Sequence, residues 1–128
     1  MEIKEYNGTS LAYMGDAIMS LYVREMLLSQ GYQKSKVMQQ KSEEWVSARA
    51  QAKFLEILED EQFFTEEEWS IVLRGRNTNP KSRAKNTDVL TYRKATGLEA
   101  IFGYLYLQRN MERLNQLWER IKEVGESL

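Results

Sequence analysis

The chain has 128 residues, 42% hydrophobic and 29% charged, with a formal net charge of −1; this is enough for one domain with one core of the soluble globular class. It contains no cysteine and no histidine, which excludes a disulfide framework, thiolate or imidazole metal sites, and Ser-His or Cys-His catalysis. The acid–base equipment that remains is carboxylate, lysine, tyrosine and bound water, and hard oxygen ligands suit magnesium or manganese.

The start, Met1-Glu2-Ile3-Lys4-Glu5, is charged and precedes no pure apolar run, so no secretory signal is expected. Asn7-Gly8-Thr9-Ser10 is a helix-start cluster with Ser10 as the N-cap. The helix is predicted to run to about Gln30 and stop at Gly31. Its apolar residues (Leu11, Met14, Ala17, Ile18, Leu21, Tyr22, Leu28) cover a wide arc and predict extensive burial. The stretch 6–23 is still too polar to span a membrane, and a cytoplasmic protein is the plain expectation.

Residues 34–40 read as a short helix, and Ser42 as the start of a longer one to about Leu58, with Val46, Ala50, Phe54 and Ile57 at helical spacing. Thr65-Glu66-Glu67-Glu68 has the form of a capping box opening a short helix through Trp69, Val72 and Leu73. Residues 75–87 lack apolar periodicity and contain Asn77, Asn79 and Pro80, so a loop is expected. A helix over about 89–109 follows, its second half apolar nearly all round. A last amphipathic helix comes after Asn110, with Leu114, Leu117, Ile121 and Val124 on one stripe. No strand alternation is visible, and the expected fold is all-α. Two helices apolar on most faces imply a central core helix or a subunit interface.

Charge is distributed unevenly. Between 74 and 94 stand seven basic residues (Arg74, Arg76, Lys81, Arg83, Lys85, Arg93, Lys94) and one acid, Asp88. Just before them, 56–68 holds seven acids and no base. Such a basic segment is either a polyanion contact or a solvated loop that balances the acidic stretch.

Two acids stand alone. Asp16 is the only charged residue in 6–23, and Glu99 the only one in 95–108. Neither has a basic residue three or four positions away. An ionised carboxylate in an apolar setting is costly unless compensated, and a divalent cation is a natural compensator. Lone acids can also be exposed, bonded to backbone, or paired across helices. The two settings are parallel: Gly15 precedes Asp16, Gly103 lies one turn after Glu99, and alanine follows each acid. Small residues let helices approach closely, so the carboxylates can meet.

Leu11-Ala-Tyr-Met-Gly-Asp-Ala-Ile and Thr96-Gly-Leu-Glu-Ala-Ile-Phe-Gly-Tyr-Leu-Tyr-Leu resemble the two acidic motifs of the ribonuclease III catalytic domain. The resemblance covers nearly the whole chain. With Arg74-Gly-Arg-Asn and Lys85-Asn-Thr-Asp between the motifs, and no room after them for the double-stranded-RNA-binding domain that usually follows, it is to the bacterial form called Mini-ribonuclease III. It implies one ribonuclease III-like catalytic domain over 1–128, a multi-helix bundle. Asp16 and Glu99 would be the catalytic and metal-binding acids, with Mg2+ as cofactor and Mn2+ as a substitute. It further implies in-line hydrolysis leaving 5′-phosphate and 3′-hydroxyl ends, a double-stranded RNA partner, precursor ribosomal RNA (23S) as substrate, and a homodimer. Arg74, Arg76, Lys81, Arg83 and Lys85 become candidate RNA contacts. Longer family members carry further acids where this chain has Ala12 and Thr96, so water and RNA phosphate would fill more of the metal's shell. A non-catalytic RNA-binding or scaffold protein on the same fold is the competing reading, and a purely structural helical dimer a third.

Overall fold

A computed structural model describes residues 1–78 and 88–128. Of the candidate RNA contacts, Lys81, Arg83 and Lys85 lie outside the described residues. After a 3-10 turn at Ile3–Glu5 come six helices: α1 (Gly8–Ser29), α2 (Ser35–Val46), α3 (Ala48–Asp60), α4 (Glu66–Arg76), α5 (Val89–Leu107) and α6 (Met111–Ser127). No strand occurs among the described residues, as the all-α expectation requires.

The local chemistry moves several boundaries. Asn7, not Ser10, caps α1: its side-chain oxygen accepts from the Ser10 N–H at 2.8 Å. Gly31, with φ 96°, closes the other end, where the Tyr32 N–H reaches the Leu27 carbonyl and the Gly31 N–H the Leu28 carbonyl. The helix expected from Ser42 to Leu58 is really parts of two. α2 runs through Ser42 to Val46, and Ser47 breaks the chain with extended backbone. Its hydroxyl then caps α3 by accepting from the Ala50 N–H at 3.2 Å. The Thr65–Glu68 capping box forms as expected, with reciprocal bonds of 3.0 and 3.1 Å. Gly75 and Arg76, expected in a loop, form the last turn of α4.

α5 is the central element. It packs on α1, α3, α4 and α6, and residues 95–105 are all buried except Glu99. Leu98, Ile101 and Phe102 of α5 join Leu11, Met19 and Val23 of α1, Phe54, Leu55 and Leu58 of α3, Ile71 and Val72 of α4, and Leu114, Leu117 and Ile121 of α6 in one apolar cluster. Burial of this kind is the dominant stabilising contribution. The nearly all-round apolarity of α5 is therefore that of a core helix. α1 is different: Tyr13, Leu21 and Leu28 are 80%, 57% and 59% exposed.

The α1–α5 contact is the most extensive in the molecule, and glycine sets its spacing. A methyl group at Gly15 would overlap the Glu99 carbonyl oxygen, and one at Gly103 would overlap the Leu11 carbonyl oxygen. The two backbones touch at the level of the two lone acids.

Candidate active site

Asp16 follows Gly15 on α1, and Glu99 lies on the facing stretch of α5. The close crossing, with Gly15 set against the Glu99 backbone, brings their carboxyls close enough to interact. The two acids differ in exposure. Asp16 is exposed, so water already compensates its charge; the apolar sequence around it does not bury it. Glu99 is the screened member of the pair.

Desolvation pushes the Glu99 carboxyl up to about 8, helped by the hydrogen bond to Asp16 and its negative charge. The Glu99 carboxyl is therefore held in its protonated form well above the usual carboxylate range. The nearby Gln51 amide opposes this shift by favouring the ionised form. Gln51 comes from α3, is 2% exposed, and donates from Nε2 to the Met19 sulfur at 3.5 Å. Among the described residues neither Asp16 nor Glu99 makes an ion pair. No group of three or more acids gathers there either.

The two positions where further acids were absent from the sequence are closed. Ala12 is buried, and the buried Thr96 hydroxyl donates to the Tyr92 carbonyl at 2.9 Å. The donor set is thus two carboxylates, hard oxygen chemistry. Two carboxyls brought together without a basic partner are hard oxygen donors of the kind a divalent cation takes, so the residues fit such an ion.

The chain from residue 9 to 110 matches the family model described as the ribonuclease III domain. The chain belongs to the Mini-ribonuclease 3 group of the ribonuclease III family. It is 44% identical to Mini-ribonuclease 3 of Streptococcus pneumoniae, over 91% of each chain. It is 45% identical to that of Staphylococcus aureus, over 93% of this chain and 89% of the relative. For Enterococcus faecalis Mini-ribonuclease 3 the identity is 44%, over 98% and 96%. A crystal structure of a Fusobacterium nucleatum protein superposes with a TM-score of 0.84 at 29% identity, covering 94% of this chain and 98% of that one. The ribonuclease III fold and endoribonuclease activity follow from this membership. The family is divalent-metal dependent and acts on double-stranded RNA.

The basic residues do not form one set. Arg74 Nη1 donates to the carbonyls of Lys4, at 2.7 Å, and Tyr6, at 3.0 Å, so this guanidinium ties the N-terminal segment to α4. Lys94 pairs with Glu56 at 2.7 Å, linking α5 to α3. Arg76 is half-buried at the end of α4. Gln51 was not singled out by the sequence. Its only signal there is a polar residue at the spacing of the buried stripe Phe54, Leu55 and Leu58. No helix among the described residues is long and apolar enough to cross a membrane.

Proposed function

We propose that residues 1–128 form one catalytic domain that cleaves double-stranded or structured RNA with a divalent cation, Mg2+ or in its place Mn2+, held by Asp16 and Glu99. The observation that carries this reading is the α1–α5 crossing, where Gly15 lies against the Glu99 backbone and brings together two carboxyls that, among the described residues, have no basic partner. When bound, the ion supplies a water nucleophile and neutralises charge on the scissile phosphate. Asp16, being exposed, presents its carboxylate to the substrate side. Glu99 gives up its proton on loading and so contributes a second negative charge from within the helix crossing. In-line attack leaves 5′-phosphate and 3′-hydroxyl ends. The chain has no histidine for a 2′-hydroxyl-activated route.

Arg76, Lys81, Arg83 and Lys85 are our candidates for backbone contacts with RNA; Arg74 joins them only as a residue that orders the N-terminal segment. One acid pair per chain and two antiparallel strands per duplex favour a two-fold homodimer, and the exposed apolar residues of α1 supply surface for it. A cytoplasmic role in precursor ribosomal RNA (23S) maturation rests on the Mini-ribonuclease III resemblance. The test is incubation with a long RNA duplex, with and without magnesium, and mapping of the product ends. Cutting without metal, or 3′-phosphate ends, would overturn the mechanism.

A further inference from the structure

Gly97 lies in the buried middle of α5, between Thr96 and Leu98. Glycine inside a helix is destabilising relative to alanine, so the position needs a physical reason. The α4–α5 crossing supplies one. A methyl carbon at Gly97 would stand 2.8 Å from Cγ of Arg76 and 2.9 Å from the Val72 carbonyl oxygen. The missing side chain leaves a seat, and the aliphatic stem of Arg76 lies in it. Arg76 is half-buried in the last turn of α4, its stem covered by α5.

Among the described residues the Arg76 side chain makes no ion pair or hydrogen bond. The other half-buried lysines and arginines there are engaged. Most pair with carboxylates, as Lys94, Arg113 and Arg120 do. Arg74 holds two backbone carbonyls, and Arg93 has a partner as well. A guanidinium with a fixed stem and donors not taken up by protein is preorganised for an oxyanion from outside. Gly97 and Glu99 are two positions apart, and such positions do not share a helix face. Arg76 therefore approaches from the side of α5 away from the acid pair.

We propose that Gly97 is a positioning residue that seats Arg76, and that the seated guanidinium binds a phosphodiester of duplex RNA other than the one being cut. This rests on the reading of the chain as a metal-dependent duplex ribonuclease. A guanidinium matches phosphate oxygens bidentately, and such contacts fix a protein's register on a duplex. The helix dipole favours any cation at the end of α4, but it asks for neither a seat nor a fork.

The experiment compares full-length Arg76→Gln, Arg76→Lys, Gly97→Ala and the Arg76→Gln/Gly97→Ala double variant. Each is melted, titrated with a long RNA duplex in metal-free buffer at several salt concentrations, and assayed for cleavage with magnesium. Arg76→Gln should weaken RNA binding roughly tenfold, reduce the salt slope by about one, and raise KM far more than it lowers kcat. Arg76→Lys should keep the slope and lose part of the affinity. Gly97→Ala keeps every charge yet should weaken binding by unseating the arginine; added to Arg76→Gln it should cost no further affinity. If Gly97→Ala has no effect, or the same effect in both backgrounds, Gly97 is not a seat and the proposal is overturned. If Gly97→Ala does not fold, nitrogen relaxation of the arginine Nε groups in the wild type decides: Arg76 should be rigid without RNA while the exposed Arg49 is mobile, and equal mobility overturns the seat. A merely structural Arg76 would lower the melting temperature and leave affinity and salt slope alone, which overturns the phosphate contact. A wild type that neither binds nor cuts duplex RNA overturns the functional reading and this proposal together; one that does both, with Arg76→Gln behaving like it, overturns this proposal alone.

Discussion

Glu68 and Glu99 are the same residue on packed neighbouring helices, both screened from solvent, and their carboxyls are pushed in opposite directions. Burial pushes both up. At Glu68 the opposing contacts win. Arg113 donates to it from Nε at 2.7 Å and Nη2 at 2.9 Å, and the Thr65 N–H adds a third bond. The carboxyl ends below its usual value. The same guanidinium reaches the Phe63 carbonyl at 2.6 Å and lies 4.1 Å over the Phe63 ring. This carboxylate helps build the fold and is neutralised from inside. At Glu99 burial is reinforced by a second acid. A carboxylate whose only charged neighbour is another acid is suited to a cation from outside.

The comparison breaks most sharply in activity. Asp16→Asn and Glu99→Gln should each lower duplex cleavage by several powers of ten, since a lost metal ligand removes several kcal/mol of transition-state stabilisation. Neither should lower the melting temperature. Gel assays beside thermal melts measure both, and near-normal turnover by either variant removes that residue from the chemistry. Arg113→Met should do the reverse. It strands Glu68 and should cost about 2–3 kcal/mol of stability, discounted for the partial exposure of the arginine. Cleavage per folded molecule should stay unchanged.

Acidity separates the two carboxyls by sign. Glu99 is held above its unfolded value, so in metal-free protein the native state keeps a proton that the unfolded chain releases. Its contribution is full below the usual 4.5 and fades as pH rises through about 8. Glu68 is held below its unfolded value, so its contribution is present above 4.5 and fades as pH falls. Melts of metal-free protein between about pH 5 and 8 should slope downward with pH, by an amount on the order of a few kcal/mol at most. Glu99→Gln should flatten that slope, and saturating magnesium should flatten it too; a slope that survives Glu99→Gln belongs to another group. Smallest of all, Arg74→Gln should cost about 1 kcal/mol through the freed N-terminal segment. It should weaken RNA binding less than Arg76→Gln, as read by salt-dependent affinity.

Much of this was visible in the sequence. Apolar spacing located the helices, the Thr65–Glu68 box formed as written, and the two lone acids with their glycines marked the crossing. The misplacements have physical causes. Ser47 breaks the chain without glycine or proline, so residues 35–60 could not be divided by breaker residues alone. Gln62 and Arg109 take left-handed backbone, φ 57° and 59°, and end α3 and α5 in place of the usual glycine. Arg74 looked like one basic residue among several because its acceptors, the carbonyls of Lys4 and Tyr6, are backbone atoms some seventy positions away.

The touching backbones at Gly15 have a consequence for genetics. The distance between the acids is set by main chain against main chain, with no side chain to repack. Replacement of Gly15 by any other amino acid must push α1 away from α5 and carry Asp16 with it. A random collection of inactive alleles should therefore include many at codons 15 and 103, encoding proteins that retain both acids and have lost only the gap between the helices.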